Sequence, residues 1–171
     1  IVINKMDTAS LEGIETVRRN VRAVNPDAVV VEAASPLSVE NPDVIRGKKV
    51  LVVEDGPTLT HGEMPYGAGM IAAKKFGASG IVDPRPWAAG SIKKVYEKYP
   101  RIGALLPAMG YDAEQIKDLE STIRAVDCDA VVIGTPIDLT KVVRIDKPVA
   151  RVQYRLQELG EPTLEQVLEK F

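Results

Sequence analysis

Between residues 49 and 133 the chain repeats one unit: a short apolar strand, a turn rich in Pro, Gly and Asp, then an amphipathic helix. Strands are expected at 49–53, 81–82, 102–106 and 130–133, with helices at about 69–76, 91–99 and 113–126. The helix near 113 is the plainest, with Asp112 as its cap and Ile116, Leu119, Ile123 and Val126 as its buried stripe. Strands apolar on both faces must be covered on both faces. This predicts an α/β fold whose mostly parallel, doubly wound, Rossmann-like sheet carries helices on both sides.

The two ends of the chain depart from that rhythm. Residues 150–156 alternate Val152, Tyr154 and Leu156 against Arg151, Gln153 and Arg155, the pattern of an edge strand that could run antiparallel. Thr163 then caps a last helix, 164–171. Before the repeat, Leu11, Ile14, Val17, Val21 and Val24 mark an amphipathic helix from about Ser10, and Asn25-Pro26-Asp27 stops it. A seam is expected near Gly47, so that 1–46 forms the tail of one α/β domain and 47–171 a second, Rossmann-like one. The opening Ile1-Val2-Ile3 reads as an apolar strand with no polar lead-in, which points to sequence upstream.

Composition removes several classes of function. A net charge of -2 lacks the basic excess of a nucleic-acid binder, and no apolar run is long enough to span a bilayer. The single cysteine, Cys128, cannot form an internal disulfide and fits a reducing, cytoplasmic setting. Its neighbours Asp127 and Asp129 oppose thiolate formation. Lys, Arg and Glu are plentiful and Asn and Gln sparse, a bias shared with heat-adapted proteins.

In an open parallel sheet, ligands collect at the carboxyl ends of the strands. Those ends read Glu54-Asp55-Gly56-Pro57, Asp83-Pro84-Arg85-Pro86, Leu106 to Tyr111 and Gly134-Thr135-Pro136-Ile137-Asp138. On one shared rim they would bring Asp55, His61, Asp83, Arg85 and Asp138 within reach of one another. The longest of these loops, between 54 and 69, holds Asp55, the only histidine (His61) and Glu63, then passes through Gly67 and Gly69 into a helix. His61, Asp55 and Arg85 are the candidates for catalysis, and Asp55 and Glu63 for binding Mg²⁺. An anion would sit on the backbone amides near Gly67 and Gly69. Each turn also has a purely structural reading, since Asp-Pro and Gly-Thr-Pro are everyday turn formers. The spacing of Gly67, Gly69 and Ala72 matches G-x-G-x-x-A, but the loop before it is too long for a dinucleotide turn.

At the other end of the chain, Asn4-Lys5-Met6-Asp7 resembles the N-K-x-D element of P-loop GTPases, in which the Asp receives the guanine base and the Lys stem packs on it. Glu32-Ala33-Ala34-Ser35, after the next strand, matches their short base-contacting loop, so Asn4, Lys5, Asp7 and Ala34 are candidate base contacts. The same tetrapeptide also makes a good strand exit and helix cap. No G-x-x-x-x-G-K-[ST] cradle for phosphates occurs in the 171 residues.

Taken together, these runs resemble the C-terminal part of a family of P-loop GTPases, mostly archaeal, often labelled cyclic 2,3-diphosphoglycerate synthetase. Val52 to Glu63 carries the resemblance most specifically, with 83–86, 106–111 and 132–139. The resemblance implies a fragment of a longer protein whose upstream P-loop domain holds GTP or ATP with Mg²⁺. It also implies a ligase reaction, an anhydride closed between the phosphates of a small metabolite. The competing expectation is a non-catalytic module that recognises a phosphorylated metabolite, a partner subunit or a second copy of itself.

Overall fold

A computed structural model describes residues 1–61 and 65–169, with His61 described in its backbone only. In chain order the elements are β1 (Val2–Ile3), α1 (Leu11–Val24), β2 (Val31–Ala34), β3 (Leu37–Val39), β4 (Lys49–Asp55), α2 (Gly56–His61), α3 (Ala68–Lys75) and β5 (Gly80–Ile81). The chain continues through α4 (Gly90–Lys98), β6 (Leu106–Ala108), α5 (Ala113–Ala125), β7 (Ala130–Ile133), β8 (Val149–Tyr154), β9 (Gln157–Glu158) and α6 (Leu164–Leu168). Contacts divide these elements into two compact units, 1–37 with 154–171, and 38–153. The sequence put one seam near Gly47; the chain instead crosses between units at residues 37–38 and 153–154.

The larger unit holds the sheet that the repeat predicts, in the order β3-β8-β7-β4-β5, with β6 also paired to β4. β4 runs parallel to β5, β6 and β7, and β7 parallel to β8. Val50, Leu51, Val52 and Val53 of β4 are all completely buried, as are Val131, Val132 and Ile133 of β7. Successive side chains leave a strand on opposite faces, so burial of every one requires cover on both sides. Each such side chain contributes on the order of 2 kcal/mol. α3 packs against β4 and β7, α2 against β4 and β6, and α4 against α5. Asp112 caps α5 as expected, its carboxylate accepting the N–H of Glu114 and of Gln115.

Three expectations shift. The strand at 150–156 lies parallel to β7, not antiparallel; an antiparallel edge strand near the C-terminus does exist, as β9 on β2. The strand expected at 102–106 forms instead at Leu106–Ala108. Pro107 fits within it because, among the described residues, β6 pairs only with β4, and an edge strand tolerates a residue without an N–H. The long loop after β4 opens with a helix, α2, because Pro57 suits a first turn and the Asp55 carboxylate accepts the N–H of Thr58.

In the smaller unit, β1 and β2 pair in parallel and β9 closes the other side of β2. α1 begins at its Ser10 cap, with Ile14 buried and Arg18 bidentate to Glu32 of β2 at 2.6 Å. Among the described residues no helix is long and apolar enough to cross a membrane.

Candidate functional site

At the end of β4, two consecutive carboxylates face opposite ways. Glu54 is 2% exposed and points under the start of α3, where one of its oxygens accepts the N–H of Gly67 at 3.1 Å and of Met70 at 2.8 Å. Burial raises its pKa, against the lowering effect of the amides at Met70, Gly69 and Gly67. Three glycines make room for it. A Cβ on Gly67 would stand 2.5 Å from Glu54 Oε2, one on Gly134 2.4 Å from the same atom, and one on Gly69 3.2 Å from Oε1. The amides that the sequence offered to an anionic ligand at Gly67 and Gly69 are thus occupied by the protein's own carboxylate. Any incoming anion competes with it.

Asp55, on the opposite face, is half-buried. Its Oδ2 accepts from the Thr58 hydroxyl at 2.9 Å and the Thr58 N–H at 3.3 Å, and no bond is made by Oδ1 among the described residues. β6 and β7 reach the same level of the sheet, with Asp55 opposite Ala108 and Val53 opposite Ile133. Tyr111, just past β6, is 41% exposed, and its phenol pKa is raised by burial and then by the charge of Asp55. Past β7, Thr135 is buried and Asp138 caps the turn Leu139–Lys141, its Oδ1 accepting from the Thr140 hydroxyl at 2.6 Å. That bond, with Arg151 nearby, lowers the Asp138 pKa. Arg151 reaches Asp138 Oδ2 at 3.4 Å and the Pro136 carbonyl at 3.4 Å, and its buried Nε has no partner among the described residues. Asp55, Tyr111 and Asp138, with Arg151 from the middle of β8 level with Ile133, are therefore polar groups that the described residues present where β4, β6 and β7 end.

Arg85 and Asp83 do not join them at that level. β5 pairs with the start of β4, at Lys49 and Val50, whereas β6 pairs with its end, so the strand exit at Asp83 falls roughly 10 Å short of Asp55 along the strand. The four strand ends do not share one rim, because β5 and β6 succeed each other along the same edge of β4. Arg85 is engaged where it is: it bonds Asp83 at 2.7 Å, donates to the Ile102 carbonyl, and stands over the Tyr96 ring at 4.9 Å. The Tyr96 hydroxyl in turn donates to the Leu105 carbonyl at 2.7 Å.

In the smaller unit the two pieces read as a base site are brought together. Asn4 Oδ1 accepts the Lys5 N–H at 2.7 Å, and Lys5 adopts φ 63°, a left-handed conformation uncommon outside glycine. Asp7 Oδ1 accepts the Ser35 N–H at 2.9 Å, and the Met6 N–H reaches the Ala33 carbonyl at 3.1 Å. Ala34 is buried between these contacts and the end of β2, while Asn4, Lys5 and Asp7 are exposed.

Glu63 and the side chain of His61 lie outside the described residues, so the proposed catalytic histidine and the second metal carboxylate are not located. Among the described residues no three His, Cys, Asp or Glu side chains gather as a metal site. Sequence reasoning missed the use of Glu54 as a helix anchor, and it did not single out Tyr111 or Arg151. The signal for Glu54 was present in Gly67, Gly69 and Gly134, since glycines at strand ends and helix starts mark close approach.

No family model matches this chain. Over all 171 residues it is 57% identical to a protein of Thermococcus kodakarensis named arginine synthetase ArcE, and it spans 38% of that protein's length. That name overturns the activity implied by the resemblance to cyclic 2,3-diphosphoglycerate synthetases. The relative is named for forming arginine, not for closing a cyclic phosphate anhydride, and neither a P-loop nor a GTPase identity gains support from it.

Proposed function

We propose that this chain forms part of a synthetase that makes arginine, and that the carboxyl ends of β4, β6 and β7 face its substrates. The observation that carries this reading is 57% identity extending over the whole chain to a protein of that name. The chemistry of the exposed groups suits it. Arginine carries a cationic guanidinium and ammonium and an anionic carboxylate, and this end of the sheet offers Asp55 with an oxygen unbonded among the described residues, a neutral Tyr111 phenol as donor, and the partly exposed Arg151 guanidinium. Asp55 holds the cationic group or an attacking amine, and Arg151 the carboxylate.

Joining carbon to nitrogen in water requires an activated carbon. A nucleoside triphosphate, ATP or GTP, with Mg²⁺ supplies that activation when bound. Asn4, Lys5 and Asp7 are the residues of this chain proposed to meet its base, supported by the bond that ties Asp7 to the Ala33–Ser35 turn.

The test is arginine formation by the full-length polypeptide, followed with labelled substrate, in the native protein and in Asp55→Asn. Native protein is expected to form arginine, and the variant to lose at least about tenfold in kcat/KM, since a charged partner is worth roughly 1.5 to 3 kcal/mol. No arginine from native protein removes the reading. Undiminished turnover in the variant moves the substrate away from Asp55.

A further inference from the structure

Arg18, Arg85 and Arg151 are similarly half-buried, and each faces a carboxylate. Arg18 closes on Glu32 at 2.6 Å and Arg85 on Asp83 at 2.7 Å, both as hydrogen bonds. Arg151 stands off. It meets Asp138 Oδ2 at 3.4 Å without a hydrogen bond, and its bond to the Pro136 carbonyl is equally long. An ion pair that served packing alone would close up, since a charge-assisted bond is shortest and strongest at about 2.8 Å. Both charges are therefore open to a further polar partner.

Asp138 is held in place from its other side. Its Oδ1 accepts the hydroxyl and the N–H of Thr140 at 2.6 and 3.2 Å, and the buried Thr135 ties the same turn by donating to the Ile137 carbonyl at 2.8 Å. Oδ2 accepts no hydrogen bond among the described residues; besides Arg151 it has the mostly exposed Lys141, at 3.9 Å. The Thr140 bond, and after it the charge of Arg151, holds the Asp138 carboxyl below its ordinary pKa, so it is charged at neutral pH. A carboxylate and a guanidinium side by side, each with room for a partner, match the α-ammonium and α-carboxylate of an amino acid.

Register turns this pair toward Asp55. Val53, Ile133 and Arg151 stand opposite one another on β4, β7 and β8, so their side chains leave one face of the sheet, and Asp55, two residues beyond Val53, shares it. Glu54, which anchors α3, lies on the other face. Two strand spacings, roughly 10 Å, separate β8 from β4. An extended arginine spans about 6 Å from its α-carbon to its guanidinium carbon, and a hydrogen bond adds about 3 Å. One molecule reaches across.

We propose that Asp138 and Arg151 grip the α-ammonium and α-carboxylate of arginine, whose side chain crosses β7 to bring its guanidinium to Asp55. Asp138 is thereby a specificity residue: with Arg151 it selects an α-amino acid over an amine or an acid that carries the same side chain. This grip rests on the arginine reading above and adds to it the class of molecule that the site selects.

Calorimetry on the full-length polypeptide tests it with three ligands: L-arginine, agmatine, which is arginine without its carboxylate, and guanidinovalerate, which is arginine without its α-ammonium. Native protein is expected to bind L-arginine at least about tenfold more tightly than either of the others, the worth of one charged bond. Asp138→Asn keeps an oxygen for Thr140 and should bring L-arginine down to the level of guanidinovalerate while leaving guanidinovalerate itself unchanged. Arg151→Gln should bring L-arginine down to the level of agmatine and leave agmatine unchanged. Crossed losses of this kind do not come from a damaged fold, which weakens all three ligands alike. Equal binding of the three by native protein overturns the grip without recourse to any variant, and so do variants, folded by circular dichroism, that weaken all three alike. If the same native protein forms arginine from labelled substrate, the wider reading survives that outcome. Native protein that neither forms arginine nor binds it removes both.

Discussion

Glu54 and Asp55 are neighbours on one strand with the same charged group, yet they serve opposite ends. Glu54 enters a space made by three missing side chains, anchors the start of α3, and is sealed from water. Asp55, turned to the other face by strand alternation, anchors α2 with one oxygen, while the other makes no bond among the described residues. A buried carboxylate surrounded by backbone donors is a structural part. One whose second oxygen is unbonded among the described residues is the group proposed above to meet substrate.

The contrast can be broken hardest at Gly134. A methyl group there would meet Glu54 Oε2 at 2.4 Å and the Gly69 amide nitrogen at 2.5 Å, and the latter is backbone that cannot turn aside. Gly134→Ala is expected to cost on the order of 3 kcal/mol, the upper range for overpacking, read as a lower urea midpoint. A loss under about 0.5 kcal/mol would mean that the cage yields easily and that Glu54 is not confined by it.

A smaller effect, with a pH signature, is expected at Glu54 itself. Burial holds its pKa above the ordinary glutamate range in the folded protein. Its contribution to stability is therefore fully present below the unfolded-state pKa and is lost as pH rises through the folded one. Glu54→Gln keeps an acceptor for Gly67 and Met70 and cannot ionise. Its stability should thus fall less than that of the native protein as pH rises across this window, the two curves lying closest at the acidic end and diverging above it. Parallel stability curves for native protein and variant, from denaturation at several pH values, would remove ionisation of Glu54 from the account.

The same contrast separates what was legible in the sequence from what was not. The parallel sheet followed from runs such as Val50 to Val53 and Val131 to Ile133, because continuous apolarity leaves few other folds, and the cap at Asp112 followed from local chemistry. Register did not follow. Nothing local states that β5 meets β4 at Val50 while β6 meets it at Val53, and this difference takes Arg85 away from Asp55. Nor does a carboxylate at a strand end declare its direction; that depends on which residue of the pair Glu54-Asp55 faces the glycines. In the smaller unit the approach of Asp7 to Ser35 was readable, because two parallel strands ending side by side must bring their exit turns together.

The smallest stability effect is expected at Asp55, and its smallness is the sharpest part of the comparison. Asp55→Asn keeps an oxygen for the Thr58 hydroxyl and N–H and loses only a negative charge at the start of a short helix, worth about 0.5 kcal/mol. Stability should hardly move while arginine formation falls, the reverse of the pattern at Gly134. If Asp55→Asn unfolds at as low a urea concentration as Gly134→Ala, then Asp55 is as much a structural anchor as Glu54. Its loss of turnover would then report a damaged α2, and the oxygen left untied by Thr58 would need another explanation.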